Sequence, residues 1–242
     1  MKQKRTDEIA ADRQDFGWQT ELLSLLPRRR PGRLERDLVR VLDQALDERG
    51  IHAFLKKHAY LVGMAFHSNS HPCGVESEFK LGAEFRCDFL VVSCCSAWWS
   101  ADFVELKPPN ARLYLKDGTA SKGLRIANRE IRDWKQWSRE NESYLRGRLS
   151  DLFEQIGLCA SGASQVSDAA TEIRDPRCAL TTRFHIVIGR RNLLSPHEQR
   201  ARIQDSLDSG VGIATYDRLV DAARRYDGAS QFDKSAFRYR KG

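Results

Sequence analysis

The chain has 242 residues, 41% of them hydrophobic and 30% charged, enough to bury one elaborated core or two small ones. No apolar run approaches the roughly eighteen residues of a membrane span, and the opening MKQKRTDEIAADRQDF lacks the apolar stretch and cleavage site of a secretory signal, so a cytoplasmic protein is expected. A net charge of +7 suits a polyanionic partner without requiring one, and six cysteines with no CxxC pair argue against a disulfide framework or structural zinc.

A polar leader over residues 1–30 carries Arg28-Arg29-Arg30, which with Arg33 forms either a solvated end or a set of phosphate contacts. The spacing of Leu34, Leu38, Val41, Leu42 and Leu46 predicts a helix over 34–49. Gly50 interrupts it, and IHAFLKKHAYLV resumes the helical pattern through Phe54, Leu55 and Tyr60. Between Val75 and Lys107 the pattern changes to short runs rich in Phe, Val and Leu: VESEFKL, FRCDFLVVS and ADFVELK, read as three strands of a meander. Gly82 marks the first turn and Cys95 to Ser100 the second. Pro108-Pro109 ends the third strand, because proline has no amide to donate to a ladder.

Residues 111–120 read as a loop, and LRIANREIRDWKQWSRENESYLRGRL as one long helix with Ala127, Ile131, Trp134 and Trp137 on its apolar face. Arg125, Arg129 and Arg132 share another face, either as solvated surface or as phosphate contacts. The small, polar stretch 157–178 reads as a loop or local insertion. FHIVIGR is a strand reaching Arg190, itself either a surface residue or a phosphate contact. Ser195-Pro196-His197-Glu198 predicts a helix start with a serine cap, a first-turn proline and a capping-box glutamate. GVGIATY is a further strand, Asp217 is the expected cap of the helix DRLVDAARRY, and residues 229–242, with Arg238, Arg240 and Lys241, read as a basic tail. This order predicts an α/β domain over 31–228 with a mixed central sheet flanked by helices.

Chemistry concentrates on the second and third strands. Glu105 and Lys107 lie two apart in ADFVELK, so both side chains take one face while Leu106 takes the other. If the hairpin turns near Ser96-Ala97, residues whose numbers sum to about 193 face one another and Asp88 stands opposite Glu105. Burying two carboxylates and an ammonium costs several kcal/mol per charge unless each is well paired. A divalent cation meets that need, and hard oxygen ligands select Mg²⁺ or Mn²⁺. The carbonyl of Leu106 is a candidate third ligand. The alternative is an ordinary Glu–Lys pair beside a hairpin aspartate. Glu78 either faces the same patch or is exposed at a sheet edge, and His58, His67 and His71 lack ligand spacing.

Several segments together resemble the nuclease domain of the Shedu anti-phage defence proteins over most of residues 48–220: Glu48 with FLKKHAYLV, ESEFKLGAEFRCDFLV, FVELKPP, ANREIRDW, VIGRR and ATYDRLV. The resemblance implies a PD-(D/E)xK restriction-endonuclease-like core and metal-dependent cleavage or nicking of DNA, taken to be double-stranded, in defence against phage. It also implies a homo-oligomer, with a tetramer as the expected form. It maps Asp88, Glu105 and Lys107 onto the catalytic motif and Glu48 onto the acidic position of the first helix, a further candidate metal ligand. Arg125, Arg129, Arg132 and Arg190 are the candidate DNA contacts. Where related nucleases often carry glutamine after the motif this chain has Glu130, which either joins the metal shell or, the favoured reading, flanks the Trp134 and Trp137 packing face. Two other readings stay open: a catalytically silent DNA-binding or scaffold module, and a nuclease acting on RNA.

Overall fold

The computed structural model describes residues 32–67, 73–95, 98–156, 166–228 and 237–239. Helices α1 (Arg33–Gln44), α2 (Arg49–Lys57) and α3 (Tyr60–Phe66) lead into strands β1 (Cys73–Leu81), β2 (Phe85–Cys95) and β3 (Trp98–Leu106). There follow α4 (Lys122–Glu140), α5 (Glu142–Ile156), α6 (Val166–Arg174), β4 (Ala179–Val187), α7 (Pro196–Ser209), β5 (Gly212–Ala214), α8 (Asp217–Gly228) and β6 (Phe237–Tyr239). The strands form one six-stranded mixed sheet in the order β5-β4-β3-β2-β1-β6. The β1–β2–β3 meander is antiparallel, whereas β3, β4 and β5 run parallel, so their carboxyl ends gather along one edge. Among the described residues, no helix is long and apolar enough to cross a membrane.

Alternation along the strands explains why the sheet is covered on both faces. Leu90 and Val92 of β2, with Trp99, Ala101 and Phe103 of β3, pack in one core with Leu124, Ala127, Ile131, Trp134 and Trp137 of α4. Phe89 and Val91, with Val104 and Leu106, pack in the other against Leu38, Leu55, Val62 and Leu219. Helix α1 is stapled to α8: Asp227 accepts the amides of Leu34 at 3.3 Å and Glu35 at 2.9 Å, and Arg224 pairs with Glu35 at 2.7 Å. That carboxylate caps two N–H groups that a helix start leaves without partners. It occupies the space a side chain at Gly32 would need.

Several elements differ from the sequence reading. The helical stripe stops at Gln44, so Leu46 is 88% exposed, and Gly50 lies inside α2 rather than breaking the chain. The long helix is two helices: Asn141 ends α4, its backbone and side-chain N–H groups both donating to the carbonyl of Trp137. The stretch expected as a loop contains α6, which buries Ala170 and Ile173. Buried Arg146 on α5 holds the end of α6 through the carbonyls of Ile173, Asp175 and Cys178. Asp217 is the first residue inside α8 and accepts the amide of Arg191 instead of capping its own helix. Residues 237–239, within the expected tail, form a strand parallel to β1. The capping box at Ser195 and Glu198 is present. Cys73, Cys87 and Cys178 carry free thiols.

Candidate active site

The β2–β3 hairpin pairs Phe89 with Val104, Leu90 with Phe103 and Val91 with Asp102, so each pair sums to 193. Past Phe89 the regular ladder gives way to a side chain: Asp88 Oδ2 accepts the amide of Leu106 at 2.7 Å. Glu105 and Lys107 share a face, and Lys107 Nζ donates to Glu105 Oε1 at 2.8 Å. Strand geometry directs the Leu106 carbonyl toward the same β2 edge as its amide. The backbone of Lys107 is pinned on both sides, its amide donating to Val187 at 2.8 Å and its carbonyl accepting from the Tyr216 hydroxyl at 2.8 Å.

Glu130 joins this cluster in a role the sequence reading did not include. Its Oε2 accepts from Lys107 Nζ at 2.6 Å, so one ammonium is shared between two carboxylates. The apolar face of α4 is made without it. Glu48 sits at the start of α2, with its carbonyl accepting the His52 amide at 2.8 Å. Its charge adds to the upward push on Asp88 and on the buried Tyr216 hydroxyl.

The electrostatics are lopsided. Burial and the neighbouring Asp88 push the Glu105 carboxyl from its ordinary 4.5 up to about 8, against the pull of Lys107. Burial also raises Asp88, although the Leu106 amide, His52 and Lys107 draw it down. Lys107 itself lies above its ordinary value: burial works against its charge, but Glu105 and Glu130 outweigh it. Two acids therefore compete for too little positive charge.

His52 was not singled out by the sequence reading. Its Nε2 lies 3.5 Å from Asp88 Oδ1 and is buried with no hydrogen-bond partner among the described residues, while its ring tilts against Phe89 with centroids 5.3 Å apart. A signal was available: His52 follows Glu48 by one helical turn, so the two share a face.

The other candidates disperse. Glu78, at a left-handed φ of 57° on β1, pairs with Lys56 and, at 3.4 Å, with Arg86. Arg190 pairs with Asp43 at 3.1 Å and Asp217 at 3.5 Å. Arg125 gives Nη1 to the carbonyl of Ala120 at 2.7 Å, and Arg129 and Arg132 are exposed on α4. Among the described residues, none of Arg125, Arg129 and Arg132 has a carboxylate partner. Arg33 pairs with Asp37 at 3.8 Å, and His58 bonds the Tyr60 hydroxyl at 2.9 Å. Arg28 to Arg30, His71, Arg240 and Lys241 lie outside the described residues, as does the Arg238 side chain.

Among the described residues, no three His, Cys, Asp or Glu side chains form a ready-made metal cage. The donor chemistry nonetheless fits a hard divalent cation. Asp88 and Glu105 offer oxygens against a deficit of positive charge, and Glu105 Oε2 has no hydrogen-bond partner among the described residues.

Fold and site together define a mixed α/β protein with two carboxylates and a lysine gathered where β2 and β3 part. A family model described as Shedu protein SduA, C-terminal, matches residues 45–220. The chain belongs to the Shedu family, whose role is anti-phage defence. No curated protein matches it.

Proposed function

We propose that the chain is a metal-dependent DNA endonuclease of the PD-(D/E)xK type, the activity through which it would act against phage. One observation carries the reading: Asp88 and Glu105, on neighbouring strands and both partly buried, share the reach of a single ammonium, that of Lys107. Asp88, Glu105 and the Leu106 carbonyl would hold Mg²⁺ or Mn²⁺, with Glu48 at the margin. Such an ion makes a bound water acidic and offsets charge on the scissile phosphate.

The remaining work falls to this chain's own groups. Lys107, charged at neutral pH, donates to a phosphate oxygen or to the attacking water, and Glu130 and Glu105 hold its Nζ in place. The Tyr216 hydroxyl and the Val187 carbonyl hold the backbone from which Lys107 projects. Arg125, Arg129 and Arg132 supply exposed positive charge for a phosphate backbone, so binding should weaken steeply with salt. The same reading takes the working particle to be a homo-oligomer, which light scattering would weigh.

The test is supercoiled plasmid incubated with Mg²⁺ or Mn²⁺ and run beside a matched RNA. Nicked or linear DNA from the wild type, absent with Asp88→Asn and with Lys107→Ala at unchanged secondary structure, supports the reading. Intact plasmid across both metals and a range of salt would overturn it, and cleavage of RNA alone would move the activity to that polymer.

A further inference from the structure

The carboxyl end of β5 opens on a cavity of about 180 Å³ lined by Arg191, Gln199, Arg202, Thr215, Arg218 and Asp221, among others. It lies on the same edge of the sheet as the paired carboxylates, because β3, β4 and β5 are parallel. Thr215 directly precedes Tyr216, whose hydroxyl holds the Lys107 carbonyl. Ligands of parallel α/β sheets gather beyond the carboxyl ends of the strands.

Three guanidinium groups here face one carboxylate, and that carboxylate is shared. Asp221 pairs with Arg191 at 2.9 Å and also with Arg224 at 3.3 Å. Arg202 donates Nη1 to the carbonyl of Ile213, while its Nε is buried with no hydrogen-bond partner among the described residues. Arg218 gives Nε to the carbonyl of Ala65 at 2.7 Å and lies over the Phe66 ring at 4.9 Å, which leaves both terminal nitrogens without a partner among the described residues. Burial lowers both Arg202 and Arg218 from the ordinary arginine value. Arg191 lowers the first further, and Arg225 and Arg202 the second.

Converging guanidinium groups with an orphaned N–H need an anion more than they need one another. We propose that this cavity binds a phosphoryl group. The guanidinium fork matches phosphate oxygens, and the excess of two positive charges over Asp221 equals the charge of a phosphate dianion. Gln199 and Thr215 add neutral donors. The volume is below the roughly 300 Å³ at which whole small-molecule ligands begin to fit, so a base and sugar would remain outside. The phosphate comes either from a DNA strand that also crosses the paired carboxylates or from a free nucleotide.

The test is calorimetry on the full chain in EDTA, which makes it independent of cleavage. Inorganic phosphate should bind once per chain, and deoxyadenosine monophosphate should bind where deoxyadenosine does not. Arg202→Gln should weaken phosphate by about 10- to 100-fold. Arg191→Gln, whose side chain pairs with the half-exposed Asp221 alone among the described residues, should do the same if the first variant is unstable. No phosphate binding by the wild type, or wild-type affinity in both folded variants, would overturn the proposal. A duplex that displaces phosphate and loses salt dependence in Arg191→Gln assigns the group to DNA, and a duplex indifferent to the variant assigns it to a free nucleotide; either result supports the site.

Discussion

Asp102 and Glu105 stand on the same strand and on opposite faces of the sheet, and both are largely withdrawn from water. Asp102, 1% exposed, accepts two parallel hydrogen bonds from Arg183 at 2.8 and 2.9 Å and a third from His185 Nε2 at 2.7 Å. Burial pushes its carboxyl up, but His185 and Arg183 together hold it below the ordinary value. Glu105 has one ammonium, shared with Glu130, and a second, partly buried acid beside it, and it is pushed up to about 8. The first acid has a full complement of hydrogen-bond partners and ties β3 to β4. The second is left short, and a shortfall of charge inside a fold is how a structure keeps room for a ligand.

The comparison can be broken at either acid. The largest effect is expected at the catalytic face: Lys107→Ala should lower plasmid cleavage by at least about 100-fold, with circular dichroism unchanged. Asp102→Ala should do the converse, costing about 3–5 kcal/mol in urea unfolding because it strands the Arg183 guanidinium and leaves the His185 ring without its carboxylate, while cleavage per folded molecule stays at the wild-type rate. Lost cleavage at full stability would erase the distinction between the two acids.

A smaller effect separates them by pH. In EDTA the folded chain keeps the Glu105 proton up to about 8, whereas an unfolded glutamic acid releases it near 4.5, so the folded state binds more protons between those values. Stability should therefore fall as pH rises across that window and level off above it. Glu105→Gln should flatten the slope in thermal melts, and a slope unchanged by the variant would contradict the account. The smallest effect belongs to Glu130→Gln, which removes a half-exposed partner of Lys107. Stability should change by no more than about 1 kcal/mol, and single-turnover cleavage should slow only a few-fold.

Much of the site was readable from spacing because it is local. A tight hairpin fixes which residues oppose one another, so Asp88 and Glu105 follow from alternation and the position of the turn. Contacts made across the sheet or between layers left no such trace. Asp102 meets Arg183 and His185 only after β4 has come alongside, and Glu130 reaches Lys107 only once α4 has packed. Local pattern also misled. Leu46 continues a helical stripe in sequence, yet its helix has already ended and the side chain points to water. Helix α6 was hidden by small, polar residues because a buried arginine from α5, more than an apolar stripe, holds its end. Asp217 was read as a cap because aspartate before an apolar helical run usually is one; the Arg191 amide takes that carboxylate instead.

The staple between α1 and α8 bears on how the protein is made. The Glu35 amide and the Asp227 carboxylate are 192 residues apart in the chain. During synthesis the amino-terminal segments emerge first, at about 5–20 residues per second, so α1 spends on the order of ten seconds or more without the group that caps it. Its start must fray until α8 leaves the ribosome. Closure of the domain is therefore a late event in which α1 and α8 meet, and weakening Asp227 should slow that final docking more than it disturbs the hairpin formed earlier.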